Sequence, residues 1–207
     1  MRCLTSVYPD NRWVQIVCHG HSVPAGYCAT PFVDPFHAYP HLLHRLLKER
    51  FPFSTVNVIV TAAGGENAAS GAARFSSDVL CHKPDVLLLD YGLNDRYITL
   101  EASEAAWRRM IEEGLAADVK ILLATPSWDR SYFRQDDLWH SLEMHGRQIR
   151  HLAEEYGVGL LDFFDVYRRY VDGGGDLDDL LCYENHPSRK GHRLLAQEAA
   201  RWFPAAF

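Results

Sequence analysis

Short apolar runs alternate along the chain with stretches whose apolar residues recur at helical spacing. The runs cover residues 13–18, 56–60, 86–89, 119–124 and 158–162. Their length and β-branched content predict five strands, and the near-continuous apolar character of the fourth predicts burial on both faces. Between them, Tyr39, Leu43, Leu46 and Leu47 predict a helix whose first turn suits Pro40. Ala72, Phe75 and Val79 predict a second, ending before Pro84. Trp107, Met110, Ile111 and Leu115 form a third stripe, and Leu142, His145, Ile149, Leu152 and Tyr156 a fourth. Phe163, Tyr167 and Tyr170 form a fifth, closed by Gly173-Gly174-Gly175, and Leu194, Leu195, Ala199 and Trp202 mark a terminal helix. Strands alternating with helices are the pattern of an α/β fold around a parallel sheet.

One stretch breaks the rhythm. Residues 126–140 read as irregular and aromatic, with Trp128, Tyr132, Phe133 and Trp139, and they leave the carboxyl end of the fourth strand. That position makes the stretch a candidate wall or lid of a pocket, where exposed Trp128 and Trp139 would stack on a sugar ring; local packing is the alternative.

Composition narrows the class without naming a chemistry. A chain of 207 residues with a 47% hydrophobic and 23% charged content is expected to form one domain over residues 1–207, with a sizeable core. The formal net charge of −6 argues against a nucleic-acid partner, because phosphate backbones call for a basic footprint. The amino terminus shows no apolar signal region and no segment is apolar enough to span a bilayer, so a cytoplasmic protein without a membrane partner is expected. Five cysteines, odd in number and without a C-x-x-C, point to reduced thiols and away from a disulfide framework or zinc site. The oligomeric state has no signature here.

Four polar segments stand where chemistry collects. Gly20-His21-Ser22 follows the first strand, Gly64-Gly65-Glu66-Asn67 the second and Gly92-Leu93-Asn94-Asp95 the third, while Asn185-His186-Pro187 precedes the terminal helix. In open parallel sheets ligands bind beyond the strand carboxyl ends. Ser22, Gly65, Asn94 and His186, in that order, supply a nucleophile, two potential oxyanion donors and a base. Asp95 is expected to anchor the Asn94 loop.

With those four blocks the chain resembles the SGNH hydrolases, also called GDSL esterases, along nearly its whole length. The resemblance implies a flavodoxin-like, three-layer α/β/α sandwich with a five-stranded parallel sheet. It also implies hydrolysis of esters through a Ser22 acyl-enzyme, with His186 as base, the N–H groups of Ser22 and Gly65 and the amide of Asn94 as oxyanion donors, and no cofactor. Two positions depart from the family pattern. His21 stands in the aspartate slot of the usual Gly-Asp-Ser, and Tyr183 replaces the aspartate three residues before His186. The third triad member is then Glu184, the nearest carboxylate in sequence, or Asp178 or Asp179 folding back, or a backbone carbonyl. The expected substrate is a small-molecule or glycan ester carrying an acetyl-type group.

Two other readings compete. His19-x-His21 on an extended segment can present both rings to one metal ion, with His37, His41 and His44 nearby, although no H-E-x-x-H or comparable ligand set is present. The missing aspartate at 183 is also compatible with a weakened module that binds a glycan or acylated ligand without turnover.

Overall fold

The computed structural model describes residues 2–204. Five strands, β1 (Trp13–Gly20), β2 (Thr55–Val60), β3 (Val86–Asp90), β4 (Lys120–Ala124) and β5 (Gly159–Leu161), form one all-parallel sheet in the order β2-β1-β3-β4-β5. This is the flavodoxin-like order, in which the chain reverses its direction of winding between β1 and β3. The crevice beyond Gly20 and Asp90, paired in register across those two strands, is therefore the place the topology offers a ligand.

The strands form where they do because both faces are covered. Alternate side chains of one strand enter different cores: Ile16 and Cys18 against Val17, Leu88 against Leu87 and Leu89, Leu122 against Ile121 and Leu123. Among the described residues ten α-helices connect and flank them: α1 (Ser22–Ala25), α2 (Tyr39–Arg50), α3 (Ala68–Ala73), α4 (Phe75–Asp78), α5 (Gly92–Asp95), α6 (Leu100–Ala116), α7 (Ser131–Arg134), α8 (Asp137–Tyr156), α9 (Phe163–Asp172) and α10 (Arg189–Ala200). On one face Leu43 and Leu47 of α2, Tyr167 of α9 and Leu195 of α10 close over the sheet. On the other, Phe75, Trp107, Met110, Ile149 and Leu152 from α4, α6 and α8 do the same. The result is the three-layer sandwich the resemblance implied.

The short edge strand β5 is protected rather than left open. Trp202 packs beside Gly159 and its indole N–H donates to the Leu160 carbonyl at 3.1 Å. No helix among the described residues is long and apolar enough to cross a membrane.

The helix expected through Ala72, Phe75 and Val79 is divided. α3 ends at Ala73, Arg74 caps it and leads into α4, and a 3₁₀ turn over Leu80–His82 completes the segment. Gly71 lets α3 lie against the Tyr91 ring just beyond β3, since a Cβ there would lie 2.2 Å from that ring. Residues 126–140 are also more regular than their sequence indicates, because they contain α7 and the start of α8, which Asp136 caps through the Trp139 N–H.

Candidate active site

β1 delivers Gly20 to the sheet edge of the crevice, and the chain turns at His21 into the single-turn helix α1, which begins with Ser22. Gly20 has no room for a side chain, because a Cβ would stand 2.4 Å from the Asp90 carbonyl oxygen. The turn out of α1 needs Gly26, whose φ of 89° lies in the left-handed region and whose N–H closes on the Val23 carbonyl at 3.0 Å. From there the chain doubles back, and the Cys28 carbonyl comes to face the last segment of the protein.

That segment is a loop clasped at its base. Leu181 and Pro187 form an antiparallel bridge, the Cys182 N–H donates to the His186 carbonyl at 3.0 Å, and the Ser188 N–H donates to the Leu180 carbonyl at 2.7 Å. Ser188 then caps α10, accepting from Gly191. The loop is tied to the β4 end of the sheet by the Arg130 N–H on the Glu184 carbonyl, 3.0 Å, and by an Arg130–Asp178 ion pair of 2.9 Å.

These constraints place His186 Nε2 3.0 Å from Ser22 Oγ and His186 Nδ1 2.7 Å from the Cys28 carbonyl oxygen. A carbonyl only accepts, so Nδ1 carries the proton and Nε2 offers its lone pair to the serine hydroxyl. Both side chains are buried, and burial holds the imidazole below its ordinary pKa; the Cys28 carbonyl works against that and the nearby His21 ring adds to it. The imidazole is therefore held neutral, in a tautomer whose bare Nε2 faces the Ser22 hydroxyl.

The oxyanion candidates stand on the neighbouring loops. The Ala63 N–H donates to the Gly20 carbonyl at 3.0 Å, which holds the loop after β2 against the end of β1. Gly65 lies in that loop at φ 80°, with open space where a Cβ would point. Asn94, in α5 after β3, donates through Nδ2 to the Glu66 carbonyl at 2.9 Å, and its amide has a second N–H to give. Asp95 faces away from the crevice. It is buried and accepts from the Ala68 N–H, Ser103 Oγ and the Trp107 indole at 2.7–2.8 Å, so it anchors the Asn94 loop to α3 and α6.

Several residues singled out from sequence lie elsewhere. Glu184 is not beside the imidazole: its side chain is 60% exposed and reaches Arg134 at 3.8 Å, while a main-chain oxygen occupies the position an acid would take. Asp178 pairs with Arg130, and Asp179 with Lys190 and Tyr170. Trp128 and Trp139 are 5% exposed and pack on each other, on Tyr132 and on Phe164, so they build the core and present no open ring to a sugar. His19 and His21 do not share a ligand. Both His19 nitrogens are engaged, with Thr61 Oγ1 at 2.8 Å and the Gly71 carbonyl at 3.1 Å, whereas His21 turns to Asp90. His37 and His44 are likewise engaged, with Asp34 and the Val56 carbonyl. Two clefts, lined by Arg12, Asp85 and Lys120 and by Lys120, Gly159 and Trp202, open at the amino ends of the strands, away from Ser22.

A backbone carbonyl was among the expected partners of the ring, but no residue type marks Cys28 as the one that supplies it. Asp90 does carry a sequence signal, as the polar residue that ends an otherwise apolar buried strand.

The fold agrees with what comparison with known families finds. The GDSL-like Lipase/Acylhydrolase family matches residues 18–194. The chain belongs to that family. This GDSL-like chain is 25% identical over 172 residues to an acetylxylan esterase from Geobacillus stearothermophilus, covering 75% of the chain and 76% of the relative. Its fold superposes on a structure of an acetyl xylan esterase from the same organism with a TM-score of 0.79, at 22% identity, over 94% of this chain and 96% of the other. A lipase/acylhydrolase from Enterococcus faecalis gives a TM-score of 0.79 at 23% identity, over 91% and 94%. The GDSL-like protein described here is a carboxylic ester hydrolase of the SGNH type.

Proposed function

We propose that the protein is a serine esterase that removes acetyl or other short acyl groups from a small ester whose alcohol part is a carbohydrate. The observation that carries the reading is the 3.0 Å contact between Ser22 Oγ and a His186 ring whose other nitrogen is fixed by the Cys28 carbonyl. His186 takes the hydroxyl proton as Ser22 Oγ attacks the ester carbonyl, because a free serine hydroxyl is a weak nucleophile at neutral pH. The N–H groups of Ser22 and Gly65 and the second N–H of the Asn94 amide receive the developing oxyanion. Fixed dipoles of this kind act on charge that appears only in the transition state. His186 then gives its proton to the departing alcohol, and in the second half-reaction it activates the water that releases the acid. A binder that performs no turnover has no use for a base held in this tautomer against a serine.

The carbohydrate part rests on the named activity of the relatives and no longer on Trp128 and Trp139. The test is hydrolysis of p-nitrophenyl acetate, butyrate and octanoate, and of acetylated xylo-oligosaccharides, by the parent and Ser22→Ala with a chelator present. Loss of all activity in Ser22→Ala with a preference for acetate is expected. Full activity in that variant would exclude the serine route, and a preference for octanoate would exclude the short acyl group.

A further inference from the structure

The nucleophile sits beside a buried polar pair that the acyl-transfer steps do not use. His21, immediately before Ser22, is 1% exposed, and Asp90, at the end of β3, is 2% exposed. His21 Nδ1 accepts the Val23 N–H at 3.2 Å, which makes the imidazole the cap of α1. Its Nε2 lies 3.3 Å from Asp90 Oδ1, off the axis of a linear hydrogen bond. The other carboxylate oxygen, Asp90 Oδ2, accepts from the Tyr39 hydroxyl at 3.2 Å. The backbones are joined as well, with the His21 N–H on the Asp90 carbonyl at 3.2 Å.

Only one protonation pattern satisfies these contacts. Nδ1 must be bare to accept from Val23, so the ring's single proton sits on Nε2, toward the carboxylate. A buried carboxylate needs donors, and Asp90 has two within reach, the Tyr39 hydroxyl and this N–H. With the family's usual aspartate at position 21, two carboxylates would face each other in a dry site. The histidine at 21 and the aspartate at 90 thus belong together chemically.

We infer that His21 and Asp90 form a positioning pair for the nucleophile, in which Asp90 holds His21 in the tautomer whose bare Nδ1 fixes the first turn of α1. That turn carries the Ser22 N–H and hydroxyl, so the pair sets the alignment of nucleophile and oxyanion donor without touching substrate. The inference rests on the serine-esterase reading and adds two residues that the family pattern does not supply.

The experiment is a double-variant cycle of His21→Asp, Asp90→Asn and both together, with Ser22→Ala alongside. Each protein is assayed on p-nitrophenyl acetate and for its rate of covalent labelling by a fluorophosphonate, followed by mass spectrometry. His21→Asp is expected to lower kcat by about 30-fold or more with KM nearly unchanged, and Asp90→Asn by about 10-fold. In the double variant the carboxylate at position 21 can cap Val23 and receive the amide at 90, so kcat and labelling are expected to return to within about fivefold of the parent. Single variants that match the parent, or a double variant no better than the worse single, would overturn the inference. Should a single variant fail to fold, His21→Asn decides: it keeps an acceptor for Val23 but changes the group facing Asp90, and parental kcat and labelling in it would overturn the role of Asp90. Labelling or hydrolysis that survives Ser22→Ala would sink the serine reading itself, whereas loss in Ser22→Ala with unaffected His21 and Asp90 variants sinks this inference alone.

Discussion

A histidine within reach of its serine still needs its far nitrogen protonated, and here the oxygen that secures that proton is the main-chain carbonyl of Cys28. This assigns no proton-relay role to the nearby carboxylates. Glu184→Gln is expected to leave kcat within about twofold of the parent, as for other exposed side chains, because Glu184 touches Arg134 and not the ring. A fall on the order of 10⁴-fold, the scale known for disabling a triad carboxylate, would place an acid at the imidazole after all. The pH profile follows from burial. The imidazolium form of His186 is disfavoured in its dry surroundings, so its pKa lies below the ordinary value. If His186 is the base it acts when neutral, so kcat/KM should hold as pH drops to about 6.5 and fall only below that. An acid limb centred well above that value would contradict the burial.

At the scale of elements, the loop between α1 and α2 matters as much as the strands. Gly26 terminates α1 at positive φ, and a Cβ there would come within 2.8 Å of the Pro35 Cα. Gly26→Ala is expected to cost about 1–3 kcal/mol in urea unfolding. It should also lower kcat, because Cys28 is only two residues further on; unchanged stability and turnover would show that the loop tolerates another path. β3 and β4 were legible in the sequence because burial on both faces leaves an unbroken apolar run, and the periodic stripes of α2, α6 and α8 were legible for the converse reason. The split between α3 and α4 was not, since Ala72, Phe75 and Val79 keep the same spacing on either side of a break. Nor was the fate of Trp128 and Trp139, because aromatic character fixes neither exposure nor burial. Ser22 and His186, which meet across a separation of 164 residues, were legible from their order alone. The orienting oxygen was not, because every residue has one and no letter marks it.

Across the whole molecule, buried histidines link stability to pH. Burial presses His19 down to about 4 and His192 down to about 3, whereas unfolded histidines titrate near 6.5. Below about pH 6.5 the unfolded chain therefore binds protons that the folded chain refuses, and stability falls as pH drops from there toward 4. His19 alone accounts for on the order of 3 kcal/mol across that interval. Asp95 opposes the trend, since burial raises its pKa and its protonation favours the folded state at low pH. Thermal unfolding at pH 7.5 and pH 5 measures the balance: a lower Tm at pH 5 is expected, and an equal or higher one would mean that these rings are not held neutral. The Cys28 carbonyl has an evolutionary consequence of a different kind. A triad acid is lost by a single codon change, but a main-chain oxygen is inherited whatever amino acid is encoded at position 28. That position is released from chemical selection, and the burden passes to the turn-forming glycine and to the clasped histidine loop that together set where the oxygen lies.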